Sequence, residues 1–218
     1  MIVVIGSPIG RLDDGVLAAG GTASRVALAA SRLGRTVQLV GKTGDDPTAD
    51  AVVLDLARGG VGHVALLREA GRNTPVETAP NVAIADVADD GPDSDGAGGP
   101  AQVGPALEAA DVELGLRYLT DFAVVVLAEP ADPETIAIVA DAARWGEARM
   151  ILVVESGSTA PDGLPSDAVV FEAPEADPDG VFADLVGGFA AALDDGTEPG
   201  DAFRVAIASE GWTETGSA

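Results

Sequence analysis

The stretch Gly20–Asp46, GGTASRVALAASRLGRTVQLVGKTGDD, constrains the fold more than any other part of the chain. A glycine pair opens it, an alanine-rich helix follows, Gly34 ends that helix, Val37–Val40 is a short strand, and GKTGDD is a strand-end turn. Val26, Ala29, Ala30 and Leu33 recur at three- and four-residue steps, so Thr22–Leu33 is a helix with one apolar face. Ahead of it, Ile2–Ile5 is apolar at every position and stops at Gly6, the pattern of a strand buried on both faces. Strand, helix and strand in that order argue for a parallel sheet that needs helices on both sides.

The alternation continues. Thr48–Ala57 is the next helix, closed by Gly59-Gly60, and Val61–Leu67 alternates like a strand. Pro75–Ala88 alternates weakly and carries prolines, which suits exposed edge strands. Asp89–Pro100, DDGPDSDGAGGP, reads as a flexible acidic loop. Residues 104–120 then form an amphipathic helix. Strand Ala123–Leu127, helix Pro133–Trp145, strands Met150–Val154 and Ala168–Phe171, and helices Val181–Leu193 and Asp201–Glu210 complete the order. The expectation is a single α/β domain over residues 1–212, with a frayed tail at 213–218.

Composition narrows the function classes. The 218 residues are 47% hydrophobic but only 4% aromatic, so Ala, Val and Leu do most of the packing. Net charge is −24, from 36 acidic and 12 basic side chains, with Lys42 the only lysine. A field of that sign repels nucleic-acid phosphates and anionic lipid heads, so neither is expected as a partner. No apolar run approaches the ~18 residues of a spanning helix, and MIVVIGSPIG has no basic flank, so a soluble cytoplasmic protein is expected. Scarce lysine and abundant Asp, Glu, Ala and Gly are similar to the composition of proteins from salt-in halophiles, and an origin in a halophilic archaeon is the expectation. The absence of cysteine removes disulfides, thiolate zinc sites and thiol catalysis. His63 is the only histidine, too few for a two-histidine metal site, and it is expected at a loop or strand edge.

The glycine spacing of residues 20–46 resembles the first signature of the ribokinase-like (PfkB) carbohydrate kinases. Gly20 and Gly21 open it, Ala27 fills a small-residue position, Arg32–Gly34 reads RLG, and Gly44 follows in VQLVGKTGDD. The strand IVVIG and Ser166–Glu172, SDAVVFE, are similar to two further strands of that family. The resemblance implies a three-layer α/β/α sheet with a reduced lid, residues 75–88 being its remnant, and a homodimer formed through that lid. It also implies ATP and Mg²⁺ as cofactors and a small hydroxylated substrate, bound near Gly20, Gly21 and the residue at position 25.

The departures lie where chemistry would. Arg25 stands where the family has an asparagine for sugar hydroxyls, and Gly10 or Arg11 where it has an aspartate. Guanidinium in place of amide and carboxylate turns a polyol site into an anion-attracting one. The family's second signature, DTTGAGDAF, sets glycine N–H groups around the transferring phosphate and an aspartate as base. Two registers compete for it. In one, Asp177 and Gly180 match, Ala183 falls at the base, and Asp184 is one residue late. In the other, Asp195–Phe203 keeps Gly200, Asp201, Ala202 and Phe203, with Asp201 as base, but places Glu198 and Pro199 in the anion hole. Asp184 and Asp201 are therefore alternative catalytic candidates. Either a divergent kinase or a non-catalytic binding module on the same fold is consistent with these residues.

Other motifs are weaker. GKTGDD lacks the first glycine of a P-loop, Thr36 standing there, and GSPIG lacks the dinucleotide-binding spacing. Asp13-Asp14, Asp45-Asp46, Asp89-Asp90 and Asp194-Asp195 read as solvated surface rather than Mg²⁺ sites. Glu155 and Glu172, just past strand ends, are better placed, because a ligand crevice lies at the carboxyl ends of parallel strands.

Overall fold

Strand β1 (Ile2–Ile5) lies at the centre of a six-stranded sheet, and all four of its residues are fully buried. The computed structural model describes residues 1–78 and 104–209. β1 pairs in parallel with β4 (Val37–Gly44) on one side and β7 (Val124–Leu127) on the other. β5 (Val61–Glu69) extends the sheet beyond β4, and β8 (Arg149–Val154) and β9 (Val169–Glu172) extend it beyond β7. The strand order is β5-β4-β1-β7-β8-β9. The chain works outward from β1 in one direction, then returns and works outward in the other, so the order reverses between β1 and β7.

Alternate residues of each central strand feed two separate cores. Ile2 and Val4, with Leu39, Val124, Val126 and Ile151, pack against α1 (Gly21–Arg32), α2 (Pro47–Arg58), α5 (Val181–Asp194) and α6 (Pro199–Ser209). Val3 and Ile5, with Val40, Val125, Leu127, Met150 and Leu152, pack against α3 (Ala109–Tyr118) and α4 (Pro133–Trp145). This is the mostly parallel three-layer α/β/α architecture read from the sequence. Each fully buried Val or Ile contributes about 1.5–3 kcal/mol relative to exposure. A four-residue strand buried on both faces is therefore a strong organiser of the layers.

Element ends follow local chemistry. After α1, Gly34 N–H donates to Ser31 O and Arg35 N–H to Ala30 O, the paired hydrogen bonds of a Schellman cap. GKTG, expected as a strand-end turn, instead extends β4 to Gly44 by pairing with β5, and Asp46 beyond it caps α2 through Ala49 N–H at 2.9 Å and also accepts from Thr74 N–H and Oγ1. Lys42 of β4 pairs with Asp111 at 2.6 Å, tying β4 to α3. That Asp111 hydrogen bond raises the Lys42 pKa against the opposing effect of burial. The helix expected over 104–120 is shorter. Pro105 delays it, and a capping box between Glu108 and Asp111 starts it at Ala109.

The sequence placed a reduced lid at residues 75–88, whereas the second sheet of the structure draws on a hairpin that was not expected. β2 (Ile9–Asp13) and β3 (Val16–Gly20) form an antiparallel hairpin whose turn residues Asp14 and Gly15 both have positive φ, 46° and 78°. β6 (Val76–Thr78) adds in parallel to β2, giving the order β3-β2-β6. The small sheet that stands in the lid's place is thus built mainly from residues 9–20, with only residues 75–78 of 75–88, β6 among them, inside the described residues. The expectations for 79–88, for the acidic loop at 89–100 and for the tail at 213–218 fall outside them.

Candidate functional site

The reversal of strand order between β1 and β7 sets a topological switch point at their carboxyl ends, the position at which sheets of this kind bind ligands. Gly6 and Ser7 leave β1 there, and Glu129 follows β7. Glu129 accepts a short hydrogen bond from Ser7 N–H. Burial pushes the Glu129 carboxyl above the ordinary range, and hydrogen bonds from the Ser7 backbone and side chain only partly offset this. Glu129 is a candidate that sequence reasoning missed. Its signal was an acid two residues past an apolar strand, close to the signal that singled out Glu155 and Glu172.

Next to Ser7 lies the start of α1. Gly21 has φ +76°, and a Cβ there would sit 3.2 Å from Ile9 and 3.4 Å from Ser7 O, so a side chain would be both strained and crowded. Gly21 N–H donates to Glu77 Oε1 of β6 at 3.3 Å. The same oxygen accepts from Arg25 Nη2 at 2.8 Å. Arg25 Nη1 donates to Asp177 O at 2.5 Å, on the loop before α5. Arg25 therefore joins the small sheet to that loop, with Gly20 and Gly21 beside it at the start of α1. Gly20 itself packs against Glu77 and Arg11.

The loop Asp177–Gly180 follows β9 and enters α5 through Gly180, at φ +78°. The two carboxylate oxygens of Asp177 accept from Phe182 N–H and Ala183 N–H, each at 3.1 Å. Of the two, the Phe182 N–H stands at a loop position that one register of the second signature assigns to a phosphate, and Ala183 stands at its base position. Ala183 is fully buried. Asp184 lies one residue on, paired with Arg32 at 2.5 Å on the α1 side. Asp201 lies in the first turn of α6, 58% exposed and bonded to Arg204 three residues on. Neither carboxylate is brought to Arg25 or Glu129 by any hydrogen bond or ion pair found here.

A cavity of 520 Å³ lies beside this loop, walled by Val181, Phe182, Leu185, Phe203 and Ile207, with Glu172 and Asp177 at its rim. Glu172 accepts from Gly157 N–H at 3.3 Å, while Glu155 is exposed beyond β8. The paired acids have other duties: Asp45 meets Arg68 at 3.4 Å, Asp194 meets the amino terminus at 2.8 Å, and Asp195 meets Arg35 at 2.8 Å. Among the described residues, no group of three or more His, Cys, Asp or Glu side chains is arranged to hold a metal ion. Nor is any described helix long and apolar enough to cross a membrane. With Asp177 on the N–H groups and an apolar wall beside them, the residues here do not fit a triphosphate with its Mg²⁺.

Sheet order, flanking helices and small second sheet together define a ribokinase-like α/β fold. Residues 4–83 match the family described as pfkB family carbohydrate kinase. The ribokinase of Arabidopsis thaliana, solved with ribose and ATP, superposes with a TM-score of 0.64 at 17% identity, over 96% of this chain and 90% of that one. Aminoimidazole riboside kinase from Salmonella enterica gives 0.61 at 15% identity, over 99% and 94%. An E. coli protein assigned as ribokinase II, in complex with ATP and Mg²⁺, gives 0.62 at 13% identity, over 100% and 93%. At such identities the likeness is one of fold. No curated protein matches the sequence.

Proposed function

We propose that this chain is a sugar-kinase-like protein of the pfkB type that binds a small hydroxylated ligand under its small sheet and does not transfer phosphate to it. One observation carries the reading. Where the second signature needs an aspartate base and open N–H donors, the chain has buried Ala183 and donors already occupied by Asp177. Phosphoryl transfer depends on charge stabilisation and an oriented nucleophile, and both are weakened by that arrangement. In the crevice at Ser7, Gly21 and Glu129 the N–H donors are held by Glu129 and Glu77, and a polyol binds there by exchanging its hydroxyls for those carboxylates.

A second reading has one feature in its favour. The strand–loop–helix order from β9 through Gly180 into α5 is the setting in which the family signature occurs. In that reading ATP and Mg²⁺ are the cofactors, with Asp184 or Asp201 as base. Incubating the protein with Mg·ATP and pentoses, hexoses, polyols or nucleosides, in high salt, separates the two by ADP release. No turnover above spontaneous ATP hydrolysis is expected. Turnover that disappears in Asp184→Asn or Asp201→Asn would overturn the non-catalytic reading.

A further inference from the structure

We infer that the crevice under the small sheet is selective for a small hydroxylated carboxylate, and that Glu77 occupies the carboxylate's place until such a ligand displaces it. The inference rests on the reading that this crevice binds a ligand, and it adds the ligand's charge and the group that competes with it. Glu77 presents one oxygen to Arg25 Nη2 at 2.8 Å and to Gly21 N–H at 3.3 Å. A guanidinium and a backbone N–H converging on one carboxylate oxygen make a charge-assisted recognition pair. The group they hold belongs to the protein itself.

Three observations favour displacement over a fixed structural role. First, Nε of Arg25 and Nε of Arg11 are buried without hydrogen-bond partners, so donor capacity is left over beside Glu77. Second, Glu77 remains 35% exposed, whereas Arg25 is 16% exposed. The arginine is built in and the glutamate can leave. Third, the charge balance is local. In a chain of net charge −24, Arg11 and Arg25 face this crevice against Glu77 and against Asp13, which is 3.6 Å from Arg11. With Glu77 swung out, Arg25 Nη2 and the Gly21 N–H lose the carboxylate they hold, with Asp13 and Glu129 still nearby. A neutral polyol gains nothing from that, while a carboxylate replaces the interaction it breaks. Ser7 and Glu129 adjoin Gly21 and can take the ligand's hydroxyls.

Equilibrium binding at fixed salt tests this with gluconate, with glucitol as its neutral counterpart, and with a hexose phosphate. Gluconate is expected to bind and glucitol to bind at least about tenfold more weakly. Glu77→Gln, nearly the same size, is expected to tighten gluconate about tenfold by removing the internal competitor. Arg25→Gln is expected to abolish the preference for gluconate over glucitol. Should Arg25→Gln unfold, the Glu77→Gln comparison alone decides. Equal binding of glucitol, gluconate affinity unchanged or weakened in Glu77→Gln, preference for the hexose phosphate, or no binding of any probe would each overturn the inference. These are binding readouts. They stand apart from the turnover that would overturn the non-catalytic reading.

Discussion

Glu129 shows how one residue can couple site and stability. Burial raises its pKa, with the Ser7 hydrogen bonds opposing, so between the ordinary carboxylate range and the raised value the folded state binds more protons than the unfolded state. Stability then falls as pH rises through that window and levels off once both states are ionised. Glu129→Gln removes the titration. Its Tm is expected to exceed that of the wild type at neutral pH, and the gap is expected to close towards mildly acidic pH. Thermal unfolding of both proteins across this range measures it, and a variant less stable at neutral pH would contradict it. Asp46 has the opposite sign. Burial would raise it, but hydrogen bonds from Ala49 and Thr74 outweigh burial and hold it low, so its contribution is present above the ordinary range and lost on acidification.

Among the elements, α1 and α5 matter most, because their contact sets Arg25 against the loop at Gly180. Gly187 of α5 lies where a Cβ would approach Ala29 Cβ to 2.6 Å and Val26 O to 2.8 Å. The opposing atoms are backbone and a short side chain, which cannot move aside. Gly187→Ala is therefore expected to destabilise by about 1–3 kcal/mol despite alanine's better helix propensity. At Gly188 the nearest atom to an added Cβ is Ala206 Cβ at 3.8 Å, an ordinary contact. Gly188→Ala is expected to be neutral or to stabilise by about 0.5–1 kcal/mol. Denaturant unfolding of the pair tests the packing directly. The hairpin β2–β3 was legible in principle, since Asp14-Gly15 is a strong hairpin turn. It escaped because Gly10, Arg11, Asp13, Ala18 and Ala19 dilute the apolar alternation on either side, and isolated hairpins bury too little to declare themselves.

For the whole molecule, charge is the dominant unknown that experiment can resolve. Every lysine and arginine except Arg58 lies within ion-pair distance of a carboxylate among the described residues. The net charge of −24 therefore resides in acids with no cation to balance them. Mobile cations must screen it, and screening strengthens as the Debye length falls from ~10 Å at 0.1 M salt to ~3 Å at 1 M. Tm is expected to rise steadily with KCl concentration into the molar range. A Tm that falls over that range would show that the exposed ion pairs outweigh the repulsion.

By itself the sequence determined the main sheet, its flanking helices and its parallel character. Those follow from local facts: fully apolar runs such as Ile2–Ile5, helical spacing in residues 22–33, and stops at Gly34 and Gly59-Gly60. It also marked Gly20, Gly21 and Arg25 as belonging together, since they share one helix start. What Arg25 does was decided only by tertiary structure. Its partners Glu77 and Asp177 are 52 and 152 positions away, and Ser7 is 122 positions from Glu129. Hydrogen bonds across such separations exist only after the strand order is set, and no local pattern encodes that order. The fold turned an arginine that reads as an open anion site into one already holding an anion of its own.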